Sequence, residues 1–365
     1  MLLLVSCVKK PPQIKPDTPL VSSKNVLHDE STKNPPQTEL EIPPTNVTGH
    51  IYLYGESHGK EKILAKELEL WNTYYHDQNM RHLFIESPYY TAEFLNIWMQ
   101  SADDEILEAI HRDGKGTASD VPVVKEFYQK IKEQCPETIF HGTDVGHQAS
   151  STGERFLRYL KEKGLQNSDQ YKRAQLVMKQ GYYYYKNKDE GYRENTMAEN
   201  FIYAFNRVSD EQIMGIYGAA HTGLESMDYT NTVPSMANQL RKYYGDVIDS
   251  EDLSLLMKET IPHRSDVFVV LGKEYEASYF GIQNLNFKGY AFREFWRLEH
   301  AYEDFKDKLK TSDVLPYNNY PMVIETGQIL VIDYTKTDGT TQRTYYRSDG
   351  NAWQGMPATE EFRLE

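Results

Sequence analysis

Four short apolar runs, each closed by a cluster of Gly, Glu, Asp and His, constrain this chain more than any other feature. The runs cover 50–54, 83–85, 138–141 and 212–217. They lead into Gly55-Glu56-Ser57-His58-Gly59, Glu86-Ser87-Pro88, Gly142-Thr143-Asp144-Val145-Gly146-His147 and Gly218-Ala219-Ala220-His221-Thr222-Gly223. A short apolar run bounded by turn residues suits a strand buried on both faces. Between the runs the apolar residues recur at helical spacing. Ile63, Leu64, Leu68, Leu70 and Trp71 predict a helix over 60–75, and further helices are predicted over 91–100, 103–111, 123–132, 154–163 (capped by Gly164), 171–185 and 193–208. This alternation argues an α/β domain with a mostly parallel sheet, flanking helices and helical insertions. A fifth strand of that domain is predicted at 266–271. Beyond it, 290–310 predicts a charged helix. The stretches 322–334 and 341–346 alternate around Thr337-Asp338-Gly339-Thr340, a β-hairpin signal. The expected organisation is an α/β domain over 47–275 and a C-terminal helix and β extension over 276–365.

The N-terminus has a different character. Leu4-Val5-Ser6-Cys7 resembles a bacterial lipobox, in which the Cys is lipidated, although only Met1 to Val5 stands where a charged and then apolar leader belongs. Residues 9–45 hold half of the 16 prolines, and the first aromatic residue is Tyr52. Such a segment cannot bury enough apolar surface to fold and reads as a tether. The expectation is a lipobox-like stretch over 1–7, a disordered tether over 8–46, lipidation at Cys7, and a lipid-anchored place in a bacterial cell envelope.

Composition narrows the partners. Lys+Arg is 40 and Asp+Glu is 54, a net charge of −14, which argues against nucleic acid. No stretch approaches the roughly 18 apolar residues of a spanning helix. With two cysteines in 365 residues there is no disulfide scaffold and no Cys-rich zinc site, and Cys135 reads as a buried, inert thiol.

Ligands of open α/β sheets bind beyond the carboxyl ends of the strands. Glu56, His58, Glu86, Asp144 and His221 all follow predicted strands, so their side chains are expected in one cleft, with His147 the weaker member and His141 inside the third strand. Imidazoles beside carboxylates support two chemistries. His58, Glu86 and His221 could hold a divalent metal. Alternatively, His58 could be a general base on water, oriented by a carboxylate. Taken singly, each residue has a plain structural explanation; the repetition at four strand ends carries the reading. On the helix from Arg193, positions Arg193, Met197 and Asn200 share a face, so Arg193 and Asn200 are candidates, with Asp144, for substrate binding. That face is expected to tolerate truncation of Arg193. Of Tyr182 to Tyr185, at most two can line one pocket.

These motifs, with Arg193-Glu194-x-x-Met197-Ala198-x-Asn200 and Gly218-x-x-His221, resemble those of the erythromycin esterase-like proteins. They are similar also to the wider group that includes the ChaN-type haem-uptake lipoproteins and the Tiki/TraB proteins. The resemblance spans about residues 50 to 270. Two departures stand out: the esterases usually carry Arg-Asp where this chain has Arg193-Glu194, and many have a second His near the last motif. The esterase resemblance implies hydrolysis of an ester, lactone or amide in a small-molecule substrate, with His58 as base and Glu56 and Glu86 beside it. The Tiki resemblance implies a metal at the Gly218 to His221 motif. The ChaN resemblance implies haem binding without hydrolysis.

Overall fold

The computed structural model describes residues 35–37, 47–287, 289–353 and 356–364. Cys7 and nearly all of 8–46, for which lipidation and a tether are expected, lie outside the described residues. The chain divides into two compact units, Pro35–Lys258 and one holding Glu259–Glu365. The division thus falls after Lys258; position 275 lies within a strand.

The first unit runs β1 (Ile51–Glu56), α1 (Glu61–Asp77), β2 (His82–Pro88), α2 (Tyr89–Met99), α3 (Glu105–Asp113), α4 (Pro122–Gln134), β3 (Ile139–Asp144), α5 (Glu154–Glu162), α6 (Asp169–Asn187), α7 (Glu190–Phe205), β4 (Ile213–Gly218), α8 (Met236–Tyr244) and β5 (Ile248–Asp252). The five strands form one parallel sheet in the order β3-β2-β4-β1-β5. Parallel strands are covered on both faces, which is why they read as continuous apolar runs. Successive residues feed opposite cores. Tyr54, Ile85 and Ile216 pack with Trp71 of α1, Trp98 of α2 and Ile131 of α4. Leu53, Phe84 and Tyr217 pack with Phe201 and Phe205 of α7 and Leu240 of α8. β4 is buried from end to end at the centre. In register, Glu56 at the end of β1 pairs with Gly218 at the end of β4, and Pro88 of β2 pairs with Asp144 of β3. The four expected strand ends therefore share one rim.

The α/β architecture is as expected, but the fifth strand is not the one predicted. It is Ile248–Asp252, an edge strand in which only Ile248 is buried, so it carries no apolar signal. The 266–271 run belongs to the second unit, as β6 (Arg264–Val270), antiparallel to β7 (Lys273–Phe287). The turn between them, Leu271-Gly272, has φ of 50° and 81°, the left-handed pair of a two-residue hairpin. Phe268 and Val270 are buried while Val267 and Val269 are exposed, the one-sided burial of an antiparallel sheet.

The second unit continues with β8 (Tyr290–Leu298), α9 (Tyr302–Phe305), β9 (Lys310–Pro316), β10 (Gln328–Lys336), β11 (Thr341–Ser348), β12 (Ala352–Trp353) and β13 (Met356–Phe362). It is an eight-stranded sheet in the order β12-β13-β11-β10-β8-β7-β6, with β9 pairing β13. The β10–β11 hairpin turns where expected. The charged helix expected over 290–310 is instead β8, the single turn α9 and the start of β9. β8 alternates: Phe295 and Trp296 are both buried, in the cores on opposite sides of the sheet. Arg293 and Arg297, two of the charged residues of that stretch, lie over the rings of Phe295 and Phe280. Among the described residues no helix is long and apolar enough to cross a membrane.

Candidate active site

The site is built around Glu86, the carboxylate that ends the apolar part of β2 and is almost fully buried. Four groups converge on it. Gly218 N–H donates to Oε2 at 2.6 Å, and Arg193 Nη2 donates to Oε1 at 2.7 Å. His58 Nε2 lies 3.6 Å from Oε2, and His221 Nε2 lies 3.6 Å from Oε1. The strand end at Gly218 is tight: a Cβ there would sit 3.1 Å from His58 Nε2 and 3.2 Å from Glu86 Oε2, so any larger residue would press on both side chains.

Each imidazole is steered by a carboxylate on its other nitrogen. His58 Nδ1–H donates to Glu56 Oε1 at 2.7 Å, from the loop that follows β1. His221 Nδ1–H donates to Glu194 Oε2 at 2.6 Å, and the other oxygen of Glu194 accepts from Met236 N–H at the start of α8. The two differ in access. The His58 side chain is 41% exposed, whereas that of His221 is 8% exposed. His58 faces the cleft, and His221 stands behind Glu86.

Arg193 reaches the same centre from α7. It grips Asp144 with two bonds, Nε to Oδ1 at 3.0 Å and Nη2 to Oδ2 at 2.6 Å, and shares Nη2 with Glu86. Its side chain is only 16% exposed, which corrects the expectation that it stands on a tolerant, exposed helix face. Asp144 also accepts from His147 Nε2 at 2.8 Å, while His147 Nδ1 meets the Tyr185 hydroxyl at 2.6 Å. A close approach sets this pair: a Cβ on Gly181 of α6 would come within 2.0 Å of Gly146 O, so only glycine lets α6 carry Tyr185, one turn on, to His147. Of the four consecutive tyrosines, Tyr185 lines the cleft, Tyr184 donates to Glu190, and Tyr183 packs on Tyr192.

The charges balance by pairing. Burial alone would lower His58, but the hydrogen bond to Glu56 and the charge of Glu86 outweigh it and raise His58 to about 9. His221 is raised against its burial by Glu86 and Glu194. Burial would raise Glu86, yet His221, Arg193 and His58 hold it below its ordinary value. Asp144 is likewise held well below the usual carboxylate range, by Arg193 and His147.

These side chains form the polar end of a cleft of about 270 Å³. His58, Glu86, Asp144, His147, Tyr185 and Arg193 line that end; Leu95, Leu107, Ile110, Val124 and Tyr128 supply an apolar wall. Asn200 is placed elsewhere. It is buried, holds Gln180 at 3.1 Å and accepts from Arg173 at 2.7 Å, and its amide nitrogen lies 3.5 Å from Asp144 O. His141 stacks on Phe84 and pairs with His82 at 2.9 Å, away from the cleft. Cys135 is buried, and burial pushes its thiol up to about 11, as an inert thiol requires.

The residues do not fit a metal. Among the described residues no group of three or more His, Cys, Asp or Glu side chains is arranged to hold one. Each oxygen of Glu86 already accepts an N–H donor, and the Arg193 guanidinium supplies the cation that a metal would bring. Three participants were not singled out from the sequence. Glu194 sits beside Arg193 on α7 and faces inward with it, Tyr185 holds the other nitrogen of His147, the weaker member of the expected set, and Glu67 of α1 is buried at the back of the site. Glu67 had a signal: it occupies a position where the spacing of Ile63 and Trp71 calls for an apolar residue.

The chain matches no family model and no curated protein. It is similar to three solved structures. One is an erythromycin esterase variant in its open conformation, at 12% identity and a TM-score of 0.43, over 63% of this chain and 76% of that one. The second is a protein from Bacillus cereus, at 11% identity and a TM-score of 0.43, over 87% of this chain and 86% of that one. The third is a succinoglycan biosynthesis protein, at 12% identity and a TM-score of 0.41, over 63% of this chain and 70% of that one.

Proposed function

We propose that this chain is a metal-independent hydrolase of ester, lactone or amide bonds, with His58 as its acid–base residue. One observation carries the reading: Glu56 fixes the His58 ring through Nδ1 at 2.7 Å, and the His58 side chain, the more exposed of the two imidazoles beside Glu86, lines the cleft. This is the arrangement a general base needs, with one nitrogen held by a carboxylate and the other free to take a proton.

The reaction follows from the geometry. In its neutral form His58 Nε2 takes a proton from water as the water oxygen attacks the carbonyl carbon. Glu56 keeps the ring oriented and stabilises the imidazolium so formed. The negative charge that develops on the carbonyl oxygen meets Arg193, the guanidinium on the cleft wall, which Asp144 holds rigid. Fixed donors of this kind act where charge develops and need no reorganisation. When the tetrahedral intermediate collapses, the imidazolium returns its proton to the leaving oxygen or nitrogen. His221, held by Glu194, helps keep Glu86 ionised behind the cleft.

Because the resting imidazole titrates near 9, the base is scarce at neutral pH, and kcat/KM is expected to rise with pH until about 9. The test is a panel of esters, lactones and amides assayed from pH 5 to 10. Hydrolysis with that rising limb supports the reading; a limb that ends below pH 7 contradicts His58 as the base. We propose further that the chain is anchored in the cell envelope through Cys7, a reading supported by the lipobox-like tetrapeptide and the proline-rich segment after it.

A further inference from the structure

Helix α1 carries a carboxyl group on its apolar face. Ile63, Glu67 and Trp71 recur every four residues, which stacks them on one side of the helix, and each has 0% exposure. Neither oxygen of Glu67 has a hydrogen-bond partner, and neither does Oε2 of Glu56. Both residues line one cavity of about 70 Å³ beside His58, walled by Leu64, Ile85, Phe127 and Tyr128 among others. A buried polar group without a partner is costly, and a leucine would fill this position without that cost. Burial, and after it the charge of Glu56, push Glu67 up to about 9, so at neutral pH it carries a proton. The titratable groups around it are Glu56 of β1, His58 of the following loop, Glu86 of β2 and Tyr128 of α4. Burial keeps Tyr128 a phenol, and each oxygen of Glu86 already accepts a hydrogen bond, from Arg193 and from Gly218. Oε2 of Glu56 is the acceptor left without a donor.

We propose that Glu67 is a positioning residue that holds its proton toward Oε2 of Glu56, across the cavity the two share, and so acts on His58 through Glu56. The proposal rests on the hydrolase reading above and adds to it a residue behind the base. The groups then run in series: Glu67 carboxylic acid, Glu56 carboxylate, His58 imidazole, cleft. A neutral donor on one oxygen of Glu56 draws charge from the carboxylate and loosens its hold on the His58 proton. His58 gives up that proton at a lower pH than Glu56 alone would allow, so more base is present at neutral pH. The Glu67 proton stays in place through the cycle.

The experiment uses the full chain with Glu67→Leu and Glu67→Gln, following the His58 imidazole by NMR titration beside the pH profile of hydrolysis. Glutamine keeps an N–H donor toward Glu56, and leucine does not. Glu67→Leu is expected to raise the His58 midpoint by about one pH unit, which makes kcat/KM at pH 7 about tenfold lower with KM little changed. Glu67→Gln is expected to stay near the wild-type midpoint. Glu67→Leu should also raise Tm, because it removes a buried carboxyl; a purely structural role would lower Tm and leave the midpoint in place. If the leucine variant does not fold, Glu67→Met is read in the same way. An unchanged His58 midpoint in the apolar variant, or equal shifts in the apolar variant and Glu67→Gln, overturns the proposal. The titration needs no substrate, so a chain that hydrolyses nothing would sink the hydrolase reading while the midpoint still decides the role of Glu67.

Discussion

Truncating Arg193 to alanine tests the electrostatic core of the site. Its guanidinium is the cation between two buried carboxylates, Asp144 at 1% and Glu86 at 9% side-chain exposure, joined by three bonds of 2.6 to 3.0 Å. Removing one partner of a buried pair costs about 3–5 kcal/mol, because the other charge is left uncompensated. Imidazoles remain beside both carboxylates, so the lower end applies, about 3 kcal/mol. For a unit of this size, that corresponds to a Tm lower by roughly 6–12 °C. The pH dependence has a definite sign. Asp144 and Glu86 are held below their ordinary values in the folded state, so their contribution is present above about pH 4 and is lost as pH falls through the folded values. Without Arg193 the buried carboxylates rise instead and protonate on mild acidification, which relieves the penalty. The gap between wild type and Arg193→Ala should therefore be widest near pH 7 and shrink toward pH 4. Calorimetry of the first transition at both pH values measures it. Asp144→Asn in the Arg193→Ala background should restore part of the loss, a non-additivity expected of groups in one network. A loss under about 1 kcal/mol, or one equal at both pH values, would refute this reasoning.

Glu56→Gln removes the charge that raises His58, so the midpoint of the kcat/KM profile should fall by roughly one to three pH units; a profile unchanged in position contradicts the Glu56–His58 coupling. Gly218→Ala brings a methyl group to 3.1 Å from His58 Nε2 and 3.2 Å from Glu86 Oε2, and the displaced imidazole should lower kcat by about 10²-fold. Wild-type kcat in that variant would show that the imidazole position is not critical. Metabolic labelling with a fatty acid should mark the chain in its native host and fail in Cys7→Ala; label retained without the cysteine excludes lipidation there.

The parallel sheet was legible because strands covered on both faces must be apolar, and the rim was legible because each strand stops where the chain turns polar. Glu56, His58 and Glu86 were found for that reason. Glu194 and Glu67 escaped because they sit on helices, where a carboxylate normally means solvent. Here Glu194 faces His221, and Glu67 stands in an apolar row between Ile63 and Trp71. Arg193 was found, but its burial was not, since the helical pattern gives a face without saying what covers it. β5 offers a single buried residue and left no trace, so the stronger run at 266–271 was assigned to the parallel sheet in its place. In β8 the arginines masked the alternation, because their stems and guanidinium planes cover aromatic rings inside the second unit. Asn200 shares the α7 face with Arg193 and still ends beneath Asp144, one layer below the cleft.

The most direct measurement of the central claim is hydrolysis by wild type and His58→Ala across a panel of esters, lactones and amides, each assayed with and without a chelator. The account predicts activity on at least one substrate, unaffected by the chelator, and a loss of about 10²- to 10⁴-fold in kcat for His58→Ala in a chain that still unfolds cooperatively. Full activity in His58→Ala, or abolition of wild-type activity by the chelator, would contradict it.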